Sequence, residues 1–430
     1  MNSDPISPID DRYYSEAREL AGYFSEKALI EERVHVELAY LQLLQKLGVA
    51  PKGTIPKIKV SASSVKAIEA RVGHDVKAVE LFLQSKLESS GASRLSPFVH
   101  LGLTSEDTNS LAYARLLGRS LNEVMIPEYA DLSLRLAKIA ANEASTAMLA
   151  RTHGRPALPT TFGKEMAVFA VRMAERVSKL MSVKPAAKLS GAVGTYASFS
   201  LIGRGNWQKT FREFAEALGV LFEPYSTQVV PWEANSDILH FVMDINHLMA
   251  GLARDLWTYQ TLDYIRFSRP GKVSSSTMPQ KVNPVDLENA EGQAEVSNAL
   301  LQLIAYKPET TRLQRDLSDS VVKRMTGQAL AHSLIAAKRL LLSLEAMSVD
   351  KRSMDVDLRS HPEVMAEAVQ LLLRLKGDRR GYQRVKRVIE SGDFPSLREY
   401  AAKAGDYLGD APSLARACPA RVRALLSVSS

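Results

Sequence analysis

From Ile238 onward the apolar residues Ile238, Val242, Ile245, Met249, Leu252 and Leu256, continued by Tyr259, recur at alternating steps of four and three. On an α-helix that spacing draws one narrow apolar line, a heptad seam, which must be covered by other helices. A second line, Leu330, Leu334, Ala337, Leu341 and Leu344, runs the same way. Residues 108–145 are also helical in pattern, with Pro127 an expected kink or break, because proline has no amide hydrogen and crowds the preceding turn. A fourth helix is expected to start near Asn283-Pro284, where Asn can cap and Pro suits the first helical position. Asp286 and Glu288 then fall in its first turn and complement the helix dipole. No convincing run of alternating strand residues is present. The pattern predicts an all-α chain built on an elongated bundle, whose faces are buried on each other or on other subunits, and the seams Ile238–Leu256 and Leu330–Leu344 are expected to bury more apolar surface than one subunit can cover alone.

At 430 residues the chain is too long for one ordinary domain. Pro51-Lys52-Gly53 and Ser89-Ser90-Gly91 break the early helical patterns, and the stretch beyond 350 is basic and choppy. Boundaries are therefore expected near 105 and 350, giving an N-terminal helical domain (1–105), a central helical-bundle domain (106–350) and a C-terminal helical domain (351–430). Lys plus Arg number 55 against 48 Asp plus Glu, a net +7 that suits an anionic small molecule as well as nucleic acid. The basic residues after 374 lack interleaved aromatics, so no nucleic-acid partner is expected. The one cysteine, Cys418, excludes an intramolecular disulfide, a Cys-rich zinc site and an iron–sulfur cluster, and is expected to be a partly buried tail residue. No apolar run reaches 18 residues and no basic-then-apolar leader opens the chain. No membrane partner is expected, and the cytoplasm is the expected compartment.

Four stretches do not read as bundle sequence. Ser274-Ser275-Ser276-Thr277-Met278-Pro279-Gln280-Lys281-Val282-Asn283-Pro284 opens with four hydroxyl residues, poor helix formers that prefer local backbone bonds, so it reads as a loop. It delivers hydroxyls, a lysine and an asparagine just before a helix N-terminus, where backbone N–H groups favour anions. Arg151-Thr152-His153-Gly154-Arg155-Pro156 places a histidine in a non-helical stretch between long helices, the side chain best suited to donate a proton near neutral pH. In Gly73-His74-Asp75-Val76-Lys77, His74 and Lys77 lie three apart on one incipient helix face. Thr104-Ser105-Glu106-Asp107 reads as a capping box opening the next helix. No phosphate-loop or dinucleotide glycine pattern occurs, nor a close His/carboxylate set for a metal, so no metal and no cofactor is expected.

Ser274–Pro284 resembles the signature loop of the fumarase/aspartase superfamily, usually Gly-Ser-Ser-x-Met-Pro-x-Lys-x-Asn-Pro. Asp11-Arg12-Tyr13, His74 to Glu80, Thr104 to Asp107, Arg151 to Gly154, Gly191-Ala192-Val193-Gly194, Pro224 to Gln228, Glu288-Asn289 and Gln314 to Ser320 narrow the resemblance to the adenylosuccinate lyase family, common bacterial type. It covers roughly residues 5–350 and fades beyond. It implies a three-domain, all-helical subunit assembled as a homotetramer, with active sites shared between subunits and a small-molecule nucleotide substrate.

The implied reaction is β-elimination of fumarate from adenylosuccinate to give AMP, and from SAICAR to give AICAR. By the same resemblance Ser275 is the base and His153 the acid. Lys281 and Asn283 hold the carboxylate whose charge grows, and Thr104 and Ser105 hold the succinyl end. Arg12, Tyr13, Arg315, Ser320 and Arg324 match nucleotide- and phosphate-binding positions. His74, Asp75, Lys77, Thr152, Gln228 and Asn289 match further substrate-binding positions. The sequence departs from the family pattern at Gly73, Arg155, Trp232, Ser274, Gln280 and Arg380-Gly381-Tyr382-Gln383. Two other readings stay open on the residues alone: a sister lyase releasing fumarate from another succinyl adduct, and a non-catalytic helical scaffold.

Overall fold

Helices set the architecture, and in chain order the longer ones are α1 (Glu26–Lys46), α2 (Ala62–Val72), α3 (Asp75–Ser89), α4 (Ser105–Ser120), α5 (Ile126–Asn142), α6 (Phe162–Ser182), α7 (Trp207–Ala217), α8 (Glu233–Thr261), α9 (Val285–Tyr306), α10 (Thr326–Ala346), α11 (Lys351–Ser360), α12 (Ala366–Leu375), α13 (Gly381–Ser391) and α14 (Ala411–Leu426). The computed structural model describes residues 5–203, 205–268, 278, 282–392, 394, 397 and 407–427. The expected all-α class is the observed one. Strands are short: β1 (Ala147–Thr152) pairs antiparallel with β2 (Arg155–Thr161), β3 (Ala186–Ala187) parallel with β4 (Leu221–Phe222), and β5 (Ile265–Phe267) antiparallel with β6 (Met347–Val349). Among the described residues no helix is long and apolar enough to cross a membrane.

By contacts the chain forms two units. The first comprises Met1–Pro127, Lys179–Asn246 and Glu295–Ile335; the second comprises Glu128–Ser178, His247–Ala294 and Ala336–Ser430. In the first, α1 buries Val36, Tyr40, Leu41 and Leu44, while α3 buries Val79, Phe82 and Leu83. Ser25 caps α1 by accepting the Ala28 N–H at 3.2 Å. In the second, Leu149 of β1 packs with Leu358 of α11 and with Val364, Met365 and Ala368. Cys418 of α14 is buried there, and burial pushes its thiol up to about 11.

Three sequence expectations need correction. The seam Ile238–Leu256 was expected to outrun what one chain can cover, yet Ile238, Val242, Ile245, Met249, Leu252 and Leu256 are each 0% exposed in the single chain. The cause is visible at buried Asn246, whose amide donates to Ser297 of α9 at 2.9 Å and accepts from Ser333 of α10. Neighbouring helices of the same chain therefore cover the seam. Second, a β-hairpin occupies the non-helical stretch around His153. Its two prolines and missing alternation hid it from pattern reading. Third, α9 begins at Val285, one residue later than expected, with Pro284 supplying the carbonyl that accepts from Leu287 and Glu288. The break at Pro127 takes the form of a π-helical turn, Leu121–Met125, immediately before α5.

Candidate active site

The capping box read at Thr104 is real and does more than start a helix. The Thr104 N–H donates to Asp107 Oδ2 at 2.8 Å. Asp107 is fully buried, and Lys188, also 0% exposed, brings its Nζ to 2.8 Å from Oδ1 while donating to the Gly191 carbonyl at 2.8 Å. The N–H groups of Ser190 and Gly191 complete the shell around Asp107. Burial pushes the Lys188 ammonium down and Asp107 opposes it, leaving a pKa below the ordinary lysine value. One carboxylate thus fixes both the Thr104-Ser105 corner and the loop starting at Gly191. At Gly194 φ is +80° and a Cβ would lie 1.9 Å from the Ser226 carbonyl, so only glycine lets this loop close on residues 226–228. Gln228 seals the closure by donating from Nε2 to the Ala192 carbonyl at 2.9 Å and from its backbone N–H to the Gln314 carbonyl at 3.2 Å.

The arginines expected at phosphate sit at two ends of one polar network in the same unit. Arg315 lies 3.2 Å from Glu106 and 3.4 Å from Asp319, which in turn holds Lys323 at 2.6 Å. Glu106 accepts from Asn109 at 2.9 Å, and Asn109 accepts from the buried Arg33 at 2.9 Å. Arg33 reaches Asp75 at 2.7 Å, and Asp75 lies 3.4 Å from Arg324. Burial alone raises the Asp75 carboxyl, but the Arg33 charge, the Val76 amide and Arg324 hold it below its ordinary value. Arg12 lies over the Tyr13 ring at 5.8 Å. A cavity of about 240 Å³ beside them is lined by Asp10, Tyr14, Phe24, Arg324 and Gln328. Ser320 is half-buried on the short helix Ser318–Lys323. Trp232 is buried, donates to the Ile304 carbonyl and carries Lys323 over its ring at 4.8 Å.

His74 and Lys77 do not share a helix face. His74 is the N-cap of α3, its Nδ1 accepting the Lys77 N–H at 3.3 Å, while the Lys77 ammonium pairs with Glu80 at 2.7 Å.

The second unit carries Thr152, His153, Asn283 and Asn289. In the β1–β2 hairpin Thr152 pairs with Arg155, so His153 and Gly154 are the two turn residues. Their φ values of +54° and +73° are the signs a type I′ turn requires. Thr152, His153, Gly154 and Arg155 are all exposed. Arg151 is anchored to Asp357 at 2.7 Å and to the Tyr264 hydroxyl at 3.0 Å. Asn289 is half-buried on α9, one residue after Glu288, which accepts from Trp257 Nε1 at 3.3 Å. Ser275 and Lys281, with Ser274 and Gln280, lie outside the described residues.

Sequence reading missed Arg33, Asn109, Lys188, Tyr264 and Asp357. Arg33 left a signal: Leu29, Arg33, Val36 and Tyr40 follow the four–three–four spacing of a seam, and an arginine inside a seam must be paired. Lys188 and Asp107 are 81 residues apart in number (188 − 107) and left none.

A match over more than half of the chain to a family described as lyase places it among the lyases. A family described as lyase matches residues 16–296, and one described as adenylosuccinate lyase C-terminal matches residues 311–396. The family likeness therefore runs past 350, where the motif resemblance fades. Two solved structures share the fold: fumarate lyase from Mesorhizobium sp. BNC1, with TM-score 0.76, 20% identity and 94% and 97% of the two chains covered, and 3-carboxy-cis,cis-muconate lactonizing enzyme from Pseudomonas putida, with TM-score 0.78, 19% identity and 97% and 100% covered. Adenylosuccinate lyase of Legionella pneumophila is 36% identical over 403 residues, covering 89% of this chain and 87% of its own. That of Escherichia coli K12 is 36% identical with 89% and 87% covered, and that of Dictyostelium discoideum 36% with 93% and 90%. The chain belongs to the adenylosuccinate lyase family of the fumarase/aspartase superfamily.

Proposed function

We propose that this chain cleaves the C–N bond of adenylosuccinate to release fumarate and AMP, and performs the same β-elimination on SAICAR to give AICAR. The observation that carries this reading is a 36% identity to adenylosuccinate lyases over 89% of the chain. Ser275, His153 and Lys281 stand at the family's motif positions. In our reading Ser275 takes the proton from the carbon next to a carboxylate. The electron pair left behind spreads onto that carboxylate, whose growing charge Lys281 and Asn283 hold. Collapse forms the C=C bond and expels the nitrogen, to which His153 delivers a proton. Thr104 and Ser105 hold the succinyl end, a role supported by the Asp107 clamp that fixes their backbone. Arg315, Ser320 and Arg324, with Arg12 and Tyr13, take the phosphate and nucleotide. The carboxylates already on Arg315 and Arg324 support this, because they aim each guanidinium. His74, Asp75, Lys77, Thr152, Gln228 and Asn289 complete the substrate contacts.

The reaction needs only a base, an acid and fixed cations, so we assign no metal or cofactor. We assign the chain to the cytoplasm. We also assign a homotetramer with shared sites. Val285, Val296 and Leu303 of α9, Trp257 of α8 and Leu342 of α10 support it, being apolar yet exposed on long helices. The test is purified protein with adenylosuccinate: fumarate and AMP should appear in equal amounts. Faster turnover of an unphosphorylated succinyl adduct would overturn the reading in favour of a sister lyase.

A further inference from the structure

The β1–β2 hairpin that carries His153 is poorly held by its own ladder. Pro156 and Pro159 stand opposite Arg151 and Leu149, and neither has an N–H to give. The register also slips between Leu149 and Arg151, so the strand bends just before the turn. What the backbone lacks, one side chain supplies. Arg151 forks onto Asp357 Oδ2 at 2.7 Å and the Tyr264 oxygen at 3.0 Å, and the Tyr264 hydroxyl itself donates to Asp357. Tyr264 is 0% exposed and stacks on Tyr259, which meets Phe162 edge-on at 5.7 Å. Phe162 directly follows β2, so the same aromatic group grips the hairpin's base. Asp357 sits beside Leu358, which packs on Leu149 of β1. Burial, with Asp357 adding to it, pushes the Tyr264 phenol up to about 12, so it stays a donor at neutral pH.

We infer that Asp357, with Tyr264, is a positioning residue for the reaction: it clamps Arg151 and thereby aims His153, two residues further on, at the departing nitrogen. The inference rests on the reading of His153 as the acid. Such a clamp acts mainly on turnover, since Arg151 itself carries no assigned substrate contact and Thr152 between it and His153 is one contact among many.

The experiment compares Asp357→Ala and Asp357→Asn in the full-length protein, each also on a His153→Ala background, with adenylosuccinate as substrate. Asp357→Ala should lower kcat about 10- to 100-fold, the loss expected when an acid is misplaced by about an ångström, with KM nearly unchanged. Asp357→Asn keeps an oxygen for both Tyr264 and Arg151 and should recover most of the turnover. On the His153→Ala background Asp357→Ala should cost nothing more. An equal loss on that background, or a rise in KM matching the fall in kcat, would overturn the clamp while leaving His153 as the acid. A His153→Ala enzyme with full turnover would instead overturn the assignment of His153, and the clamp with it. Thermal melting of Asp357→Asn guards against misfolding: a variant that melts like the parent yet turns over like Asp357→Ala also overturns the inference.

Discussion

The two units hold their chemistry-bearing residues in opposite ways. In the first, Thr104 and Ser105 stand over an ion pair, Asp107–Lys188, in which both side chains are 0% exposed. In the second, His153 stands on an exposed two-residue turn whose ladder is broken by prolines. In the roles proposed for them above, the difference follows from what each group must do. Groups that bind a substrate of fixed charge gain from a frame that does not move, and buried charges that satisfy each other provide one. A proton donor changes its own charge in every turnover, and full burial would penalise its charged form. It is better placed at the surface and aimed from behind. Buried pairs are weak evidence for net stability but strong evidence for a geometry that fails when one partner is lost.

Breaking each region should therefore produce different failures. His153→Ala should lower kcat by about 10²–10⁴-fold and leave unfolding almost untouched, because the side chain is exposed. Lys188→Met should do the reverse first: it strands Asp107 in a fully buried site and should cost roughly 3–5 kcal/mol in urea unfolding. Stability that falls in His153→Ala and holds in Lys188→Met would invert the comparison and refute it.

The all-α class, the seams and the Thr104 cap were legible because they are local: spacing and capping chemistry sit within a few residues of each other. The four–three rhythm at Ile238–Leu256 suggested more apolar surface than one chain can cover, and that expectation failed because the rhythm alone does not say whose helices cover it. The His153 hairpin was illegible for a physical reason. Pro156 and Pro159 remove both the alternation and the N–H groups by which a strand is recognised, and side-chain anchors at Tyr264 and Asp357 replace them. Of the candidate site, the residue types were readable but not the partners. Glu106 stood in the sequence only as an inner residue of the Thr104–Asp107 capping box, yet it is also the link between Arg315 and Asn109.

That link sharpens the comparison at the next level of effect. If Arg315 takes the phosphate, Arg315→Ala should cost about 1.5–3 kcal/mol in kcat/KM on adenylosuccinate, the worth of charge-assisted hydrogen bonds. The same variant should scarcely change the slower turnover of the dephosphorylated nucleoside. Equal losses on both substrates would show that Arg315 works only through Glu106 and the Thr104-Ser105 corner.

The smallest expected effect is a dependence of the first unit's stability on pH. His100 sits at φ +60°, four residues before Thr104, with Nδ1 2.6 Å from Glu37, a carboxylate only 1% exposed that also accepts from Thr108. Burial pushes the imidazole down, but the hydrogen bond and charge of Glu37, with Glu80 and Asp107 beyond, push it up further, so its pKa ends above the ordinary value. A histidine whose folded pKa is raised stabilises the fold fully below its unfolded pKa of about 6.5, and that stability is lost as pH rises through the folded value. His100→Gln should therefore lower the melting temperature most below pH of about 6.5, with the gap to the parent closing at higher pH. A His100→Gln gap that stays constant across this range would show that the ring acts by its packing and its left-handed backbone alone, and that the His100–Glu37 charge contributes nothing to holding the Thr104 corner.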